Sequence, residues 1–219
     1  MKVILFGATG MVGQGVLREC LLDPGVTDVL SVGRTPVGQS NPKLREIMHK
    51  DFLDFTPIEN ELTGYDACFF CLGITSIGMD ETRYTLITHD FTLAAATTLA
   101  RLNPQMTFVY VTGRSTDSTE KGPLMWARVK GRTENDLLKL PFKAAFMFRP
   151  GLIQPLYGVR SKTGWIDIIY TAISPLMSLT AHLAPNSVTT TEQVGRAMIG
   201  VARRGYPKPI LEVEDINRV

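Results

Sequence analysis

Short runs of consecutive apolar residues alternate along this chain with longer segments in which apolar residues recur at helical spacing. A strand that is apolar at nearly every position is typical of a parallel sheet covered on both faces. The predicted strands are residues 3–6, 29–32, 47–48, 67–71, 108–111, 144–148 and 210–213. The predicted helices are residues 11–22, 90–102, 124–140 and 191–204. Such alternation predicts a doubly wound, mostly parallel α/β sheet with helices on both faces.

The regular alternation ends near Gly151, and this point divides one predicted domain into two parts. With 219 residues, the chain has the length of a single domain. Residues 1 to about 150 form the predicted sheet core, and residues 151–219 combine a small lid with elements that return to the sheet. Residues 165–183 of the lid carry a broad apolar stripe interrupted by Pro175. The stripe covers a substrate cleft, forms a homodimer interface or contacts a membrane surface, and the sequence leaves these three open.

Composition and charge argue against several classes of partner. The 23 basic and 21 acidic residues give a net charge of +2, so we expect no nucleic-acid partner. The three histidines are scattered without the spacing of metal ligands, so we expect no metal site. Cys20, Cys68 and Cys71 are an odd number of cysteines with no secretory leader before them, which predicts a cytoplasmic protein.

Three glycines follow the first predicted strand in the motif GATGMVG. Gly7 permits a tight turn out of the strand, Gly10 lets the main chain approach a pyrophosphate, and Gly13 lets the next helix pack on the strand. The N-terminus of that helix offers free N–H groups and the positive end of a dipole to an anion. Because the glycines lie at the first strand–helix turn, the motif predicts a dinucleotide-binding site.

The end of the second predicted strand distinguishes between the two nicotinamide dinucleotides. NAD-binding proteins place a carboxylate about 20 residues after the glycines, where it binds the ribose 2′-hydroxyl. The corresponding segment here, 31–34, reads SVGR and lacks a carboxylate, and Arg34 lies 21 positions after Gly13. A guanidinium at that position binds a 2′-phosphate and stacks on adenine. We therefore expect NADP(H) as the cofactor, with NAD(H) less favoured.

Several motifs taken together resemble the atypical short-chain dehydrogenase/reductases. They are GATGMVG, the Gly33-Arg34 pair, His49-Lys50-Asp51-Phe52, Cys71-Leu72-Gly73, a helix carrying Lys130, and Arg149-Pro150-Gly151. Over nearly its whole length the chain is similar to the epimerase-like, NAD(P)-binding group related to the Tat-interacting protein of 30 kDa. This resemblance implies a Rossmann fold, a dinucleotide cofactor, and an NAD(P)-dependent oxidoreductase or epimerase-like activity.

The resemblance also implies roles for individual residues along the cofactor. The pyrophosphate turn is lined by Gly7, Thr9, Gly10, Met11 and Gly13, and Arg34 sits at the 2′-phosphate. The adenine lies beside Asp51 and Phe52, and the cofactor ribose lies beside Cys71, Leu72 and Gly73. The nicotinamide end is held by Lys130, which contacts the ribose, and is flanked by Pro150 and Gly151.

The family's chemistry uses a Y-x-x-x-K motif, and here Trp126 occupies the tyrosine position before Lys130. An indole N–H donates a hydrogen bond but does not act as an acid or base near neutral pH. Three interpretations stay open. In the first, another group supplies the proton: Tyr84, expected in the long loop after the fourth strand, or Tyr157, Thr112 or Ser115. In the second, the protein binds NADP(H) without turnover. In the third, the reaction needs no phenol, as with a quinone that takes its second proton from water.

The predicted function is therefore an NADP(H)-binding, reductase-like protein that acts on a small apolar carbonyl or quinone. The alternative is a non-catalytic, NADP(H)-sensing regulatory protein, because Trp126 replaces the family's tyrosine. The candidate catalytic residues are Lys130, Thr112, Ser115 and Tyr157.

Overall fold

The computed structural model describes residues 1–159 and 187–219, so the apolar stripe predicted at 165–183 lies outside the described residues. Nine strands and six α-helices are described, together with one 3-10 helix and one π-helical turn. The strands are β1 (Lys2–Phe6), β2 (Asp28–Gly33), β3 (Leu44–Met48), β4 (Ala67–Phe70), β5 (Thr107–Val111), β6 (Ala144–Arg149), β7 (Leu152–Gln154), β8 (Val188–Thr190) and β9 (Ile210–Glu212). The helices are α1 (Met11–Leu22), α2 (Glu81–Thr85), α3 (Phe91–Leu102), α4 (Met125–Leu137), α5 (Thr191–Arg204) and α6 (Val213–Ile216).

Seven of these strands form one parallel sheet in the order β3-β2-β1-β4-β5-β6-β9. From β1 the chain first adds β2 and β3 on one side, and then crosses to add β4 and β5 on the other. The strand order therefore reverses between β1 and β4. In open α/β sheets, ligands bind at such a reversal, beyond the carboxyl ends of the strands.

Helices cover both faces of the sheet, as the continuous apolar strands predict. On one face, α1 and α5 bury Val16, Cys20, Val194 and Met198 against the sheet. On the other face, α3 buries Ala95 and Leu99, and Leu137 of α4 joins the same cluster. The predicted doubly wound α/β fold is confirmed, with seven strands that are all parallel.

The main differences from the sequence-based prediction lie in short elements. A 3-10 helix covers Thr56–Leu62, and α2 runs through a π-helical turn (Leu86–Asp90) directly into α3. The prediction that Tyr84 lies in a long loop is therefore wrong, since it belongs to α2. The three-residue strands β7 and β8 pair in a separate small sheet, and α6 follows β9. Segments this short lack enough residues to display a hydrophobic period.

Candidate functional site

The glycine turn after β1 is a place where side chains do not fit. Gly7 has a φ of +78°, and a Cβ atom there would lie 2.6 Å from the main-chain carbonyl carbon of Cys71. A Cβ at Gly13 would lie 2.0 Å from the carbonyl oxygen of Gly7. The turn is closed by a 2.9 Å hydrogen bond from the Gly10 N–H to the Gly7 carbonyl. Because α1 begins directly after Gly10, its free N–H groups lie at the carboxyl end of β1.

An open cleft of about 720 Å³ lies at this turn, beyond the carboxyl ends of β1, β2, β4, β5 and β6. It collects most of the site residues predicted from the sequence. Those that line it are Gly7, Thr9, Gly10, Met11, Arg34, Phe52, Cys71, Leu72, Gly73, Thr112, Lys130, Pro150 and Gly151. They come from segments far apart in sequence, which the parallel sheet brings to one edge.

Three other predicted site residues do not line the cleft. Gly13 lies below the turn, where α1 packs on Gly7. The Asp51 carboxylate is exposed and accepts a 3.0 Å hydrogen bond from the N–H of Leu53. Ser115 is exposed, with a φ of +69°. Neither Asp51 nor Ser115 therefore has a side chain on the cleft wall.

Tyr157, the fourth residue outside the cleft, lies against α1 and α5. Its hydroxyl donates a 2.5 Å hydrogen bond to the Glu192 carboxylate in the first turn of α5. The Arg18 guanidinium lies 3.7 Å from the centre of its ring. Tyr157 borders a separate cavity of about 490 Å³, which meets the cleft only at Ala8 and Thr9. The structure thus places this phenol away from Lys130.

Arg34 lies at the other end of the cleft from Lys130, just beyond β2. It is exposed, and its guanidinium makes no hydrogen bond or ion pair with the described residues. Most other arginines in the described ranges are paired; Arg149, for example, lies against Glu134. No described residue therefore compensates the positive charge that Arg34 presents to the cleft.

Lys130 lies on the cleft wall and points towards β5. Its ammonium group donates a 2.6 Å hydrogen bond to the main-chain carbonyl of Thr112. Burial lowers the pKa of Lys130 to about 8, although the nearby Glu134 carboxylate acts in the opposite direction. Lys130 is therefore a cation at neutral pH that loses its charge at mildly alkaline pH.

The Thr112 hydroxyl is directed into the protein and away from the cleft. It lies 2.6 Å from a carboxylate oxygen of Glu134 and 3.1 Å from the Phe148 carbonyl, both of which accept hydrogen bonds. Because a hydroxyl carries one proton, the Thr112 proton is already shared with these acceptors. Glu134 was not among the predicted site residues, although its position one helical turn after Lys130 was a signal that it shares that face of α4.

No protein-family model matches the chain. The mitochondrial protein fmp52 of Emericella nidulans is 32% identical over 159 residues, which cover 69% of this chain and 66% of that protein. The chain belongs to the FMP52/HTATIP2 family of atypical SDR-like NAD(P)-binding Rossmann proteins. SDR denotes the short-chain dehydrogenase/reductases, so the resemblance drawn from the motifs is confirmed.

Two further family members extend the comparison. HTATIP2 of Rattus norvegicus is 25% identical over 155 residues, and the match spans 62% of its length. The mitochondrial FMP52-2 of Scheffersomyces stipitis is 29% identical over 224 aligned residues, which cover 98% of this chain and 94% of that protein. The chain thus spans about two thirds of the first two relatives and nearly all of the third.

The location expected from the sequence is wrong by this comparison. The fungal family members are named as mitochondrial proteins, whereas the cysteine pattern predicted the cytoplasm. Free cysteines argue against oxidising compartments only and do not distinguish among reducing ones. Among the described helices, none is both long and apolar enough to cross a membrane.

Solved structures of low sequence identity share the fold. The UDP-glucuronic acid 4-epimerase of Bacillus cereus, solved with NAD, superposes with a TM-score of 0.68 at 15% identity over 98% of this chain and 80% of the epimerase. The Bordetella bronchiseptica enzyme WbmF, solved with NAD+, gives a TM-score of 0.67 at 15% identity over 99% of this chain and 76% of WbmF. At these identities the likeness concerns the Rossmann fold alone.

The family's tyrosine position also lies apart from the cleft in this structure. Trp126 is half-buried on α4 and is not among the residues that line the cleft. Tyr84, another candidate proton donor, is 1% exposed, and burial raises the pKa of its hydroxyl. Within the described residues, no tyrosine hydroxyl lies on the cleft wall.

Proposed function

We propose that this protein binds NADP(H) in the cleft and acts as a reductase towards a small apolar carbonyl or quinone. The observation that carries the proposal is the arrangement of three features along one cleft. An open helix N-terminus lies at its centre, Lys130 lies at one end, and Arg34, which has no partner in residues 1–159 and 187–219, lies at the other. Family membership and the NAD-bound structures of proteins with this fold support the coarser part of the proposal, a dinucleotide in this cleft.

At its glycines the turn has no side chains, and so it leaves room for a pyrophosphate. Side chains at Gly7 and Gly13 would collide with main-chain atoms, so the turn keeps the closest possible approach between β1 and α1. The N–H groups at the start of α1 and its dipole then favour two phosphates there. Arg34, beyond the next strand, supplies a guanidinium that pairs with a 2′-phosphate through two parallel hydrogen bonds.

At the opposite end, the residues present suit a nicotinamide and an apolar acceptor. Lys130 supplies a cation for the ribose hydroxyls, while Pro150 and Gly151 flank the ring. Ile74, Val111 and Ile153 add apolar surface to the cleft wall. When bound, the dinucleotide supplies a hydride, and an apolar wall favours an uncharged acceptor such as a quinone or a small carbonyl compound.

The cofactor assignment is tested by calorimetric titration of the Arg34→Glu variant with NADPH and with NADH. We expect its affinity for NADPH to fall by at least about tenfold, because a 2′-phosphate loses a charged partner and meets a like charge, with a much smaller effect on NADH. Lys50→Glu makes the same change of charge at an exposed residue outside the cleft wall, and should leave both affinities unchanged. Equal losses of NADPH and NADH affinity in Arg34→Glu would contradict the assignment.

A second candidate function is binding of NADP(H) without turnover. It is favoured by the absence of a tyrosine hydroxyl from the cleft wall within residues 1–159 and 187–219, and by the Thr112 proton being shared with Glu134 and Phe148. Oxidation of NADPH over a panel of apolar carbonyls and quinones separates the two functions. Turnover of any member supports the reductase, and NADPH binding without turnover across the panel supports the sensor.

A further inference from the structure

Glu134 is a fully buried carboxylate that takes no direct part in lining the cleft. Its side chain has 0% exposure, and its main partner Arg149 has a side chain that is 11% exposed. The Nε atom of Arg149 lies 3.1 Å from each carboxylate oxygen, and one terminal nitrogen contacts the same group. A charge held this deeply is tolerated only when such partners replace its water.

The contacts of Glu134 join three structural elements at the Lys130 end of the cleft. Glu134 itself belongs to α4, one turn after Lys130. The Thr112 hydroxyl at the end of β5 donates to it over 2.6 Å, and Arg149 at the end of β6 pairs with it. Each partner adjoins a cleft contact, because the Thr112 carbonyl accepts from Lys130 and Arg149 precedes Pro150.

Glu134, Thr112 and Arg149 form a buried cluster, and further groups around it hold Arg149 in its orientation. The Ser118 hydroxyl lies 2.5 Å from one terminal nitrogen of Arg149, and Glu212 lies 3.4 Å from the other. The guanidinium is therefore fixed by three side chains. A buried ion pair of this kind contributes little net stability compared with apolar residues of the same volume, because desolvation offsets the attraction. Its directional bonds do, however, set the relative positions of α4, β5 and β6.

We propose that Glu134 is a positioning residue, which holds Thr112, Arg149 and the helix of Lys130 in the geometry that receives the nicotinamide end of the dinucleotide. This inference rests on the proposed function, since it concerns the same cleft. It predicts that loss of the cluster weakens contacts at the Lys130 end and leaves the Arg34 end intact. A merely structural role would affect both ends together.

The test compares two ligands by calorimetry on the full chain: NADPH, and adenosine 2′,5′-bisphosphate, which carries only the 2′-phosphate end. The first variant, Glu134→Met with Arg149→Met, removes both charges of the buried pair together, so that neither is left without the other; among the described residues only Glu212, whose side chain is 40% exposed, loses an ion-pair partner. The second, Thr112→Val, removes one hydrogen bond to Glu134 and leaves the ion pair. The matched control is Asp136→Asn on the same helix, where the carboxylate contacts His89 and Lys139.

We expect the double variant to melt close to the wild-type temperature, to lose about tenfold or more in affinity for NADPH, and to keep its affinity for the bisphosphate. Thr112→Val should show the same selectivity with a smaller loss. Unchanged NADPH affinity in both variants, or equal losses for the two ligands, would overturn the inference while leaving the proposed function standing. Wild-type protein that binds neither ligand would instead refute the proposed function, and the inference with it.

Discussion

The ammonium group of Lys130 lies 2.6 Å from the main-chain carbonyl oxygen of Thr112, to which it donates a hydrogen bond. This contact links α4 to the end of β5 and holds a cation on the wall of the cleft. Because the partner is a neutral carbonyl, it compensates only part of the cost of burying the charge. The charge of Lys130 is therefore sensitive both to pH and to an anion bound nearby.

Removal of this charge should stabilise the protein near neutral pH. The pKa of Lys130 is about 8 in the folded state, against 10.5 for an ordinary lysine, so the unfolded chain binds more protons between these values. Folding stability consequently rises from about pH 8 to about pH 10.5, and the penalty is fully present below pH 8. Lys130→Met should exceed wild type by about 1–3 kcal/mol at pH 7, reduced by the lost hydrogen bond.

Urea unfolding of the two proteins at pH 7 and pH 9.5 measures this difference. The difference in unfolding free energy between Lys130→Met and wild type should be smaller at pH 9.5 than at pH 7, because Lys130 in the folded wild-type protein is largely neutral at pH 9.5. Lys121→Met, at an exposed lysine, serves as the control and should show no comparable gap. A gap that is constant across this range would contradict the assigned pKa of Lys130.

The affinity for NADPH should also depend on pH through the same lysine. An anionic ligand near Lys130 favours its charged form, so binding is strongest below pH 8 and weakens as the pH rises above it. Titrations between pH 6.5 and 9.5 should show this decline in wild type and a flatter profile in Lys130→Met. Parallel profiles in the two proteins would show that Lys130 lies too far from the ligand to respond to it.

Gly13→Ala should destabilise the fold through the glycine turn. The added methyl group would lie 2.0 Å from the Gly7 carbonyl oxygen, so α1 must move away from β1. We expect a loss of about 3 kcal/mol in the free energy of unfolding. Gly10→Ala is a matched comparison in the same turn, because its Cβ would meet that oxygen only at 3.4 Å. Equal losses of stability in the two variants would contradict the steric argument.

Asn103 should contribute strongly to stability at the opposite end of the sheet. Its side-chain oxygen accepts hydrogen bonds from the N–H groups of Gly64 and Tyr65 at 2.7 and 3.1 Å, and its amide donates to the Leu62 carbonyl over 2.9 Å. Asn103→Ala leaves the buried Leu62 carbonyl and the partly buried N–H groups of Gly64 and Tyr65 without this partner, at a cost of about 2 kcal/mol. Denaturant unfolding measures the loss of stability in Asn103→Ala. Asn60→Ala, at an exposed asparagine, is the control and should lose little stability. A similarly small loss in both variants would contradict the structural role of Asn103.

Patterns within short stretches of sequence were sufficient for the fold class and for most of the cleft. Strand β1, helix α1 and the glycines between them are neighbours in sequence, so their joint pattern identifies the turn. The carboxyl ends of parallel strands meet at one edge, which is why residues after β2, β4 and β6 line the same cleft as that turn. Short elements such as α2 and β7 were missed, since five or three residues carry no clear period.

The sequence by itself determined the parallel α/β sheet and the turn at its centre, because both follow from the spacing of apolar residues and glycines along the chain. Tertiary structure alone decided where individual side chains point. It directs the Thr112 hydroxyl to Glu134, places Tyr157 against Glu192, and leaves Arg34 without a partner among the described residues. These side-chain directions depend on packing between elements that are distant in sequence. Burial and hydrogen-bond geometry determine which of several possible partners each side chain contacts.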